Sequence, residues 1–330
     1  MTPRRVGDDR DWDAIWQESR GNSAPRQTAT VVRQQAALRP PKWWGPFKGL
    51  VVFLLVMAVL IGGIRMIAGW MTSGLDGEPG QSGGEVVARE PEPVTPELDY
   101  AGFDPGDIIS DQRFFDTDTM TADDIRAFID EWNAGCRTGR DGTPCLSDYV
   151  EDAPRFAPDD LCPGGFSGEA GDDAATIVWR AATGCGINPQ VLLVTLQKEQ
   201  GLITASGGRL NATRYDTAMG YACPDDGSCD GDFHGFARQM YYAARQFQRY
   251  AAYPGEYTYH ADQTVAVPFA AGDECGAEEV HIVNQATANL YNYTPHQPNG
   301  DALSDVRGTC SSWGNLNFYA YFNAWFGSTH

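Results

Sequence analysis

The clearest helical pattern of apolar and polar positions ends at Gly201. Four residues spaced by three or four positions define one face: Leu192, Thr195, Leu196 and Glu199. Asn188 fits an N-cap, Pro189 fits the first helical position because its missing N–H costs nothing there, and Gly201 fits a left-handed end. The sequence therefore predicts a helix from Asn188 to Gln200, with Glu199 in its last turn beside a buried stripe.

The position of Glu199 has a chemical consequence. Apolar surroundings and the negative end of the helix dipole both disfavour a carboxylate. Both therefore favour the protonated carboxyl group that a general acid needs. The same position also fits a carboxylate at the solvent edge of a core helix, and the spacing leaves both interpretations open.

Similar patterns predict the rest of a mostly helical domain. Further helices are expected over residues 121–132, 172–183, 233–253, 283–290 and 316–325. Thr121 would cap the first of these, and Gly184 would stop the second. Strands are few, the best being residues 264–269 paired with residues 279–283.

One apolar segment has the length of a membrane span. Residues 49–64 contain no charge, and the apolar run continues to Met71 past Arg65 alone. Residues 48–71 are therefore predicted to form a single transmembrane helix. Nine Lys or Arg residues lie within residues 1–64, whereas the next basic residue after Arg65 is Arg89. This bias predicts a cytoplasmic N-terminus and an extracellular C-terminal domain, and an uncleaved anchor is preferred to a cleaved signal peptide.

The composition divides the remaining chain. Residues 1–47 are polar and predict a disordered cytoplasmic tail, in which the two tryptophans of residues 11–16 could instead form a short docking helix for a cytoplasmic partner. Residues 72–97 are rich in Gly, Pro and Glu and predict a linker. Residues 98–330 are then the folded extracellular domain.

The cysteines agree with an oxidising compartment. Eight follow the apolar segment: Cys136, Cys145, Cys162, Cys185, Cys223, Cys229, Cys275 and Cys310. Their even number indicates disulfides, and sequential pairing is the simplest arrangement because 136–145 and 223–229 would close short loops. No paired Cys-x-x-Cys occurs and the histidines are scattered, so no metal and no cofactor are expected. The acidic run 225–232 could bind calcium, but it lacks the full spacing of a calcium loop and is better explained as a solvated turn.

The charge argues against one class of ligand. Residues 71–330 carry 14 basic and 39 acidic residues, a net charge of −25. A strongly acidic outer domain does not suit nucleic acid or anionic polymers as its main ligand. An uncharged or zwitterionic glycan is compatible with it.

Three short motifs resemble one superfamily. The segment Leu196-Gln-Lys-Glu199-Gln200-Gly201 resembles the end of the catalytic helix in the lysozyme-like superfamily, which includes lytic transglycosylases and glucosaminidases. Residues 218–221 are similar to the small-residue turn after that helix, and residues 290–295 are similar to its Tyr-Asn element. The whole arrangement, which ends in the segments 313–318 (WGNLNF) and 325–327 (WFG), also resembles wall-associated proteins of actinobacteria. The resemblance implies an α+β, lysozyme-like fold that acts on the glycan strands of peptidoglycan.

Roles for individual residues follow from this resemblance. Glu199 would protonate the glycosidic oxygen between N-acetylmuramic acid and N-acetylglucosamine, or of the reverse linkage. Tyr291 and Asn292 would position the sugar or polarise the attacking group. Gln200, a further candidate for substrate binding, replaces the serine that commonly follows the acid in transglycosylases. Asp216 is the best-placed second carboxylate for hydrolysis, although it also fits a helix cap or turn, and lytic transglycosylases manage with one glutamate.

Two further side chains are candidates from their type and position. Tyr221 offers a flat apolar face and a polar tip for a sugar ring, and Gln239 lies on the long predicted helix. Two alternatives stay open beside the enzyme: a glycan-binding or scaffolding module without turnover, and an adhesion domain with no glycan role. The presence of Glu199 favours an enzyme.

Overall fold

The computed structural model describes residues 93–224 and 228–330. The predicted tail (1–47), the predicted membrane helix (48–71) and most of the predicted linker lie outside these residues. Within the described ranges, no helix combines the length and the apolar character that a membrane span requires.

Helices and short antiparallel ribbons make up the described domain. The helices are α1 (Asp111–Phe114), α2 (Ala122–Trp132), α3 (Ala174–Cys185), α4 (Pro189–Gln200), α5 (Ala212–Asp216), α6 (Phe236–Ala252), α7 (Gln285–Tyr293), α8 (Gly300–Leu303) and α9 (Gly314–Phe326). The strands are β1 (Val150–Glu151), β2 (Arg155–Phe156), β3 (Phe166–Ser167), β4 (Asp172–Asp173), β5 (Gln263–Pro268) and β6 (Ala277–Ile282). β1 pairs with β4, β2 with β3 and β5 with β6, each antiparallel. The expected combination of helices with small antiparallel sheets is confirmed.

Helix α4 runs through the core, as its apolar pattern predicts. The Asn188 side chain accepts a hydrogen bond from the Gln190 N–H, and Gly201 ends the helix in the left-handed region at φ +64°. The residues from Val191 to Leu196 are wholly inaccessible to solvent. α4 packs against α3 on one side and α9 on another. Only Gln190 in the first turn and residues 198–200 in the last turn of this helix are no more than partly buried.

The helices predicted over residues 121–132 and 233–253 also agree with the structure. Thr121 forms a reciprocal capping box with Asp124 at the start of α2. α6 lies within the helix predicted over residues 233–253, and six of its apolar residues are buried: Phe236, Met240, Ala243, Ala244, Phe247 and Tyr250. α6 packs against α3 and α7, so one face of this helix belongs to the core.

The predicted end of α3 is wrong. The helix starts after Asp173, whose side chain accepts from the Thr176 N–H, and continues through Gly184 to Cys185. Gly186, at φ +70°, is the residue that ends it. Gly184 instead permits a close approach, because a Cβ atom there would overlap the carbonyl oxygen of Gly165.

Four disulfides join the cysteines in sequential order, which confirms the expected pairing. They are Cys136–Cys145, Cys162–Cys185, Cys223–Cys229 and Cys275–Cys310. The second ties the loop between β2 and β3 to the end of α3, directly before α4 begins. Cross-links of this kind stabilise a loop-rich domain by restricting its unfolded chain.

Candidate functional site

Glu199 lies in the last turn of α4, where the core reaches solvent. Its side chain is 25% exposed, and the Nζ atom of Lys198 lies 2.5 Å from its Oε1 atom. The Lys198 side chain is only 5% exposed. Glu199 therefore faces a buried ammonium group in addition to the apolar helix that the sequence predicts.

The end of α7 holds Lys198 in place. The Lys198 Nζ atom donates a hydrogen bond of 2.7 Å to Thr294 Oγ1 and lies 5.5 Å from the centroid of the Tyr293 ring. The Tyr293 hydroxyl in turn donates to the carbonyl oxygen of Met219 at 2.5 Å. One network thus connects the end of α4, the end of α7 and the turn after α5.

That turn also touches Glu199 directly. Gly220 has φ +68°, and a Cβ atom built on it would lie 3.1 Å from Glu199 Oε2. The backbone conformation and the lack of space both favour glycine at this position. Residues 218–221, which the resemblance places after the catalytic helix, therefore border the carboxyl group.

Gln239 supports this turn from below. Its side chain is wholly buried, and Oε1 accepts from the Met219 N–H at 3.2 Å and from the Tyr221 N–H at 3.0 Å. Its Nε2 atom donates to the carbonyl oxygens of Tyr221 and Phe233, both at 3.0 Å. The amide is fully used within the protein, so Gln239 positions the turn and has no surface for a ligand.

Tyr291 and Asn292 are also committed to internal contacts. The wholly buried Tyr291 donates its hydroxyl to the carbonyl oxygen of Pro105 at 2.9 Å, and burial raises the pKa of this phenol. The Asn292 side chain accepts from the Tyr259 N–H at 3.1 Å and donates to the Tyr259 carbonyl at 2.6 Å. The members of this motif region that reach Lys198 are the next two residues, Tyr293 and Thr294.

Gln200, at the end of α4, contacts the chain around α5, the helix that contains Asp216. Gln200 Nε2 donates to Thr217 Oγ1 at 3.2 Å, and its backbone carbonyl accepts from Arg214. Asp216 is the last residue of α5 and is partly exposed. Burial is the main reason that the pKa of Tyr149 is raised, and the negative charge of Asp216 contributes to the shift.

Tyr221, one of the predicted substrate contacts, lines a cavity. The cavity has a volume of about 900 Å³ and lies against α6. The Tyr221 ring stacks on Tyr242 with a centroid distance of 5.6 Å and meets Phe233 edge-on at 5.1 Å. Burial raises the pKa of the Tyr221 phenol, so this hydroxyl stays a neutral hydrogen-bonding group at physiological pH.

The neighbours of the candidate acid lie within the three motifs, but none of them was given a role from the sequence. Lys198 and Gly220 lie next to Glu199, and Tyr293 and Thr294 contact Lys198. Tyr291 and Asn292 lie in the core. The sequence could have indicated Lys198, because it is a basic residue directly before the candidate acid in the last helical turn. Thr294 lies in the motif at residues 290–295, but its contact with Lys198 joins residues 96 positions apart and could not be read from the sequence.

The described residues give no indication of a metal centre. Across residues 93–224 and 228–330, no group of three His, Cys, Asp or Glu side chains is arranged to hold a metal ion. Residues 225–227 of the acidic run lie outside the described part of the chain.

Comparison of the chain with protein-family models, curated proteins and solved structures finds no match. The site itself offers a partly exposed carboxyl group, that of Glu199, between a buried ammonium group on one side and a glycine turn on the other.

Proposed function

We propose that this domain cleaves the glycan strands of peptidoglycan, with Glu199 as the general acid. The observation that carries the proposal is the placement of Glu199: a quarter-exposed carboxyl group on a rigid core helix, between Lys198 and Gly220. A proton donor needs both access to a ligand and a fixed position. The motif resemblance at residues 196–201, 218–221 and 290–295 supplies the substrate class.

A single-carboxylate reaction suits this arrangement best. Glu199 donates its proton to the glycosidic oxygen as the bond from that oxygen to C1 breaks. The 6-hydroxyl group of the same sugar then attacks C1 and returns its proton to Glu199, which leaves a 1,6-anhydro end. Lys198 would hold the Glu199 carboxyl group in position through their ion pair. In a hydrolytic variant of the reaction, Asp216 would be the second carboxylate.

The location that fits this substrate is outside the cell. Four disulfides in the described domain favour an oxidising compartment. We propose that residues 48–71 anchor the chain in the membrane once, with the N-terminus in the cytoplasm. The linker over residues 72–97 would then let the domain reach the cell wall.

A second function is a glycan-binding or scaffolding module without turnover. Two observations favour it: Tyr291 and Asn292 use their polar groups on the protein itself, and the described contacts of Glu199 include an ion pair with Lys198. In such a module the Glu199 carboxylate would serve as a structural partner of Lys198. This module would bind the strand but not shorten it.

One experiment separates the two functions. The full-length protein in detergent is incubated with purified peptidoglycan, and soluble fragments and sedimented protein are both measured. Release of fragments by the wild type but not by Glu199→Gln supports the enzyme. Sedimentation of both proteins with the glycan, without any fragments, supports the binding module. If neither protein releases fragments or sediments, both proposals are wrong.

A further inference from the structure

The cavity beside α6 has properties that the Glu199 site lacks. Its volume of about 900 Å³ lies in the range of small-molecule sites. Four arginines contribute to its walls: Arg155, Arg238, Arg245 and Arg249. Two aspartates, Asp159 and Asp232, also line it, so the cavity has an excess of positive charge in a strongly acidic domain.

The arginines differ in how far the protein already neutralises them. Arg245 Nε lies 2.9 Å from Asp159 Oδ2. Burial alone would raise the pKa of Asp159, but hydrogen bonds from the Cys162 N–H and from Arg245 keep it below its usual range. Arg249 pairs with Glu256 at 3.3 Å. Arg238, in contrast, has no carboxylate partner within residues 93–224 and 228–330. Its guanidinium carbon lies 5.9 Å from the centroid of the Phe156 ring.

Arg155 is the second arginine with capacity for a ligand. Its Nη2 atom is 3.5 Å from Glu169 Oε1, and both side chains are more than half exposed. Exposed pairs of this kind contribute little, so a bound anion can replace the contact at small cost. Arg155 on β2 and Arg238 on α6 thus face one cavity with guanidinium groups that are free or weakly paired.

Five aromatic side chains also line the cavity: Phe156, Tyr221, Phe233, Tyr241 and Tyr242. Phe156 stacks on Tyr241 with a centroid distance of 4.4 Å, and its ring meets Tyr242 edge-on at 5.3 Å. Tyr242 stacks on Tyr221. Such ring clusters offer flat apolar faces against which the C–H face of a sugar ring packs.

We propose that this cavity binds a pyranose that carries an oxyanion. The ring packs against the aromatic cluster of Phe156 and Tyr242, and the oxyanion accepts hydrogen bonds from Arg238 and Arg155. Arginine is suited to this task because its fork of donors matches the two oxygens of a carboxylate or phosphate. A carboxylated sugar such as N-acetylmuramic acid and a sugar phosphate both present this chemistry.

The cavity and the candidate acid share one turn of chain. Tyr221 lines the cavity, and its neighbour Gly220 borders the Glu199 carboxyl group. The inference therefore deepens the proposed function and rests on it for the biological substrate. Binding itself is measured without turnover, so the two proposals fail separately.

The test compares three sugars on the full-length protein in detergent by ligand-observed NMR titration. N-acetylmuramic acid and N-acetylglucosamine 1-phosphate carry an oxyanion, and N-acetylglucosamine does not. Arg238→Gln removes the charge but keeps a polar chain, and Arg307→Gln is the matched control because Arg307 is exposed and lies outside the cavity lining. Glu199→Gln is titrated in parallel.

At least one oxyanion sugar is expected to bind about tenfold more tightly than N-acetylglucosamine, and Arg238→Gln to remove that advantage. Arg307→Gln and Glu199→Gln keep it. The better of the two oxyanion sugars identifies carboxylate or phosphate as the ligand group. Equal affinity for all three sugars, no binding, or an unchanged Arg238→Gln overturns the inference. If the oxyanion sugar binds through Arg238 while peptidoglycan is not cleaved, only the proposed function fails.

Discussion

The ammonium group of Lys198 lies 2.5 Å from the carboxyl group of Glu199, although the two residues are consecutive in α4. Consecutive side chains on a helix diverge by about 100°. The same Lys198 Nζ atom also donates a hydrogen bond of 2.7 Å to Thr294 at the end of α7. The candidate acid therefore has a dedicated, buried cation beside it.

Replacing that cation should slow glycan cleavage. Lys198→Met keeps an unbranched, apolar chain in a buried position, so we expect the fold to persist. The variant loses the ion pair that fixes the Glu199 carboxyl group, so fragment release should fall about tenfold. The measurement is the rate of fragment release, with Lys198→Arg as the control that retains the charge. Equal rates for Lys198→Met and the wild type would contradict a positioning role for Lys198.

Gly220 allows the effects of backbone strain and of crowding at Glu199 to be separated. Gly220→Ala should lower the free energy of unfolding by about 1–2 kcal/mol, because alanine disfavours a positive φ. The added Cβ atom would lie 3.1 Å from Glu199 Oε2 and should also push the carboxyl group out of position. Gly171→Ala is the matched control, since Gly171 has φ +74° with nothing near its Cβ position. We expect similar stability losses in chemical denaturation, but a loss of cleavage only in Gly220→Ala. Equal activity in the two variants would argue against this geometry.

Gln239 should matter for stability. Gln239→Leu leaves two backbone N–H groups and two carbonyl oxygens without their buried partner. The expected loss is about 3 kcal/mol, because each buried unsatisfied group carries a desolvation penalty. Gln248→Leu, which loses one bond to the Gly186 carbonyl, should lose about 1 kcal/mol. Urea unfolding of both variants checks the difference, and equal losses would mean that the turn does not depend on Gln239.

The parts that the sequence predicted well are those with local causes. Caps and spacing within a few residues define α2, α4 and the buried face of α6, and short loops made the pairing of Cys136 with Cys145 the simplest choice. The end of α3 was missed because Gly184 serves a contact with Gly165, far away in sequence. Long-range packing also decides the site: it takes Tyr291 and Asn292 into the core and brings Thr294 to Lys198.

A pH-dependent contribution to stability is expected at the start of α3. Burial alone would raise the pKa of Asp173, but hydrogen bonds from Arg126 and Thr176 keep it below its usual range. Because the folded-state pKa is lower than the unfolded one, the stabilisation is complete above the unfolded value of about 3.9 and is lost as the pH falls through the folded value.

Asp173→Asn isolates the charge, since asparagine caps a helix as well as aspartate does. The Arg126–Asp173 pair is partly exposed, so the loss at pH 7 should be about 0.5–1 kcal/mol. Thermal unfolding from pH 7 to pH 2 measures it. The difference from the wild type should disappear near pH 2, and a difference that stays constant with pH would show that the ion pair is not its source.

Mass spectrometry of the glycan ends tests the central claim most directly. Purified peptidoglycan is incubated with the full-length wild type, with Glu199→Gln and with Asp216→Asn, and the released fragments are compared. The account predicts 1,6-anhydro ends from the wild type and from Asp216→Asn, and no fragments from Glu199→Gln. Fragment release by Glu199→Gln at the rate of the wild type would contradict it.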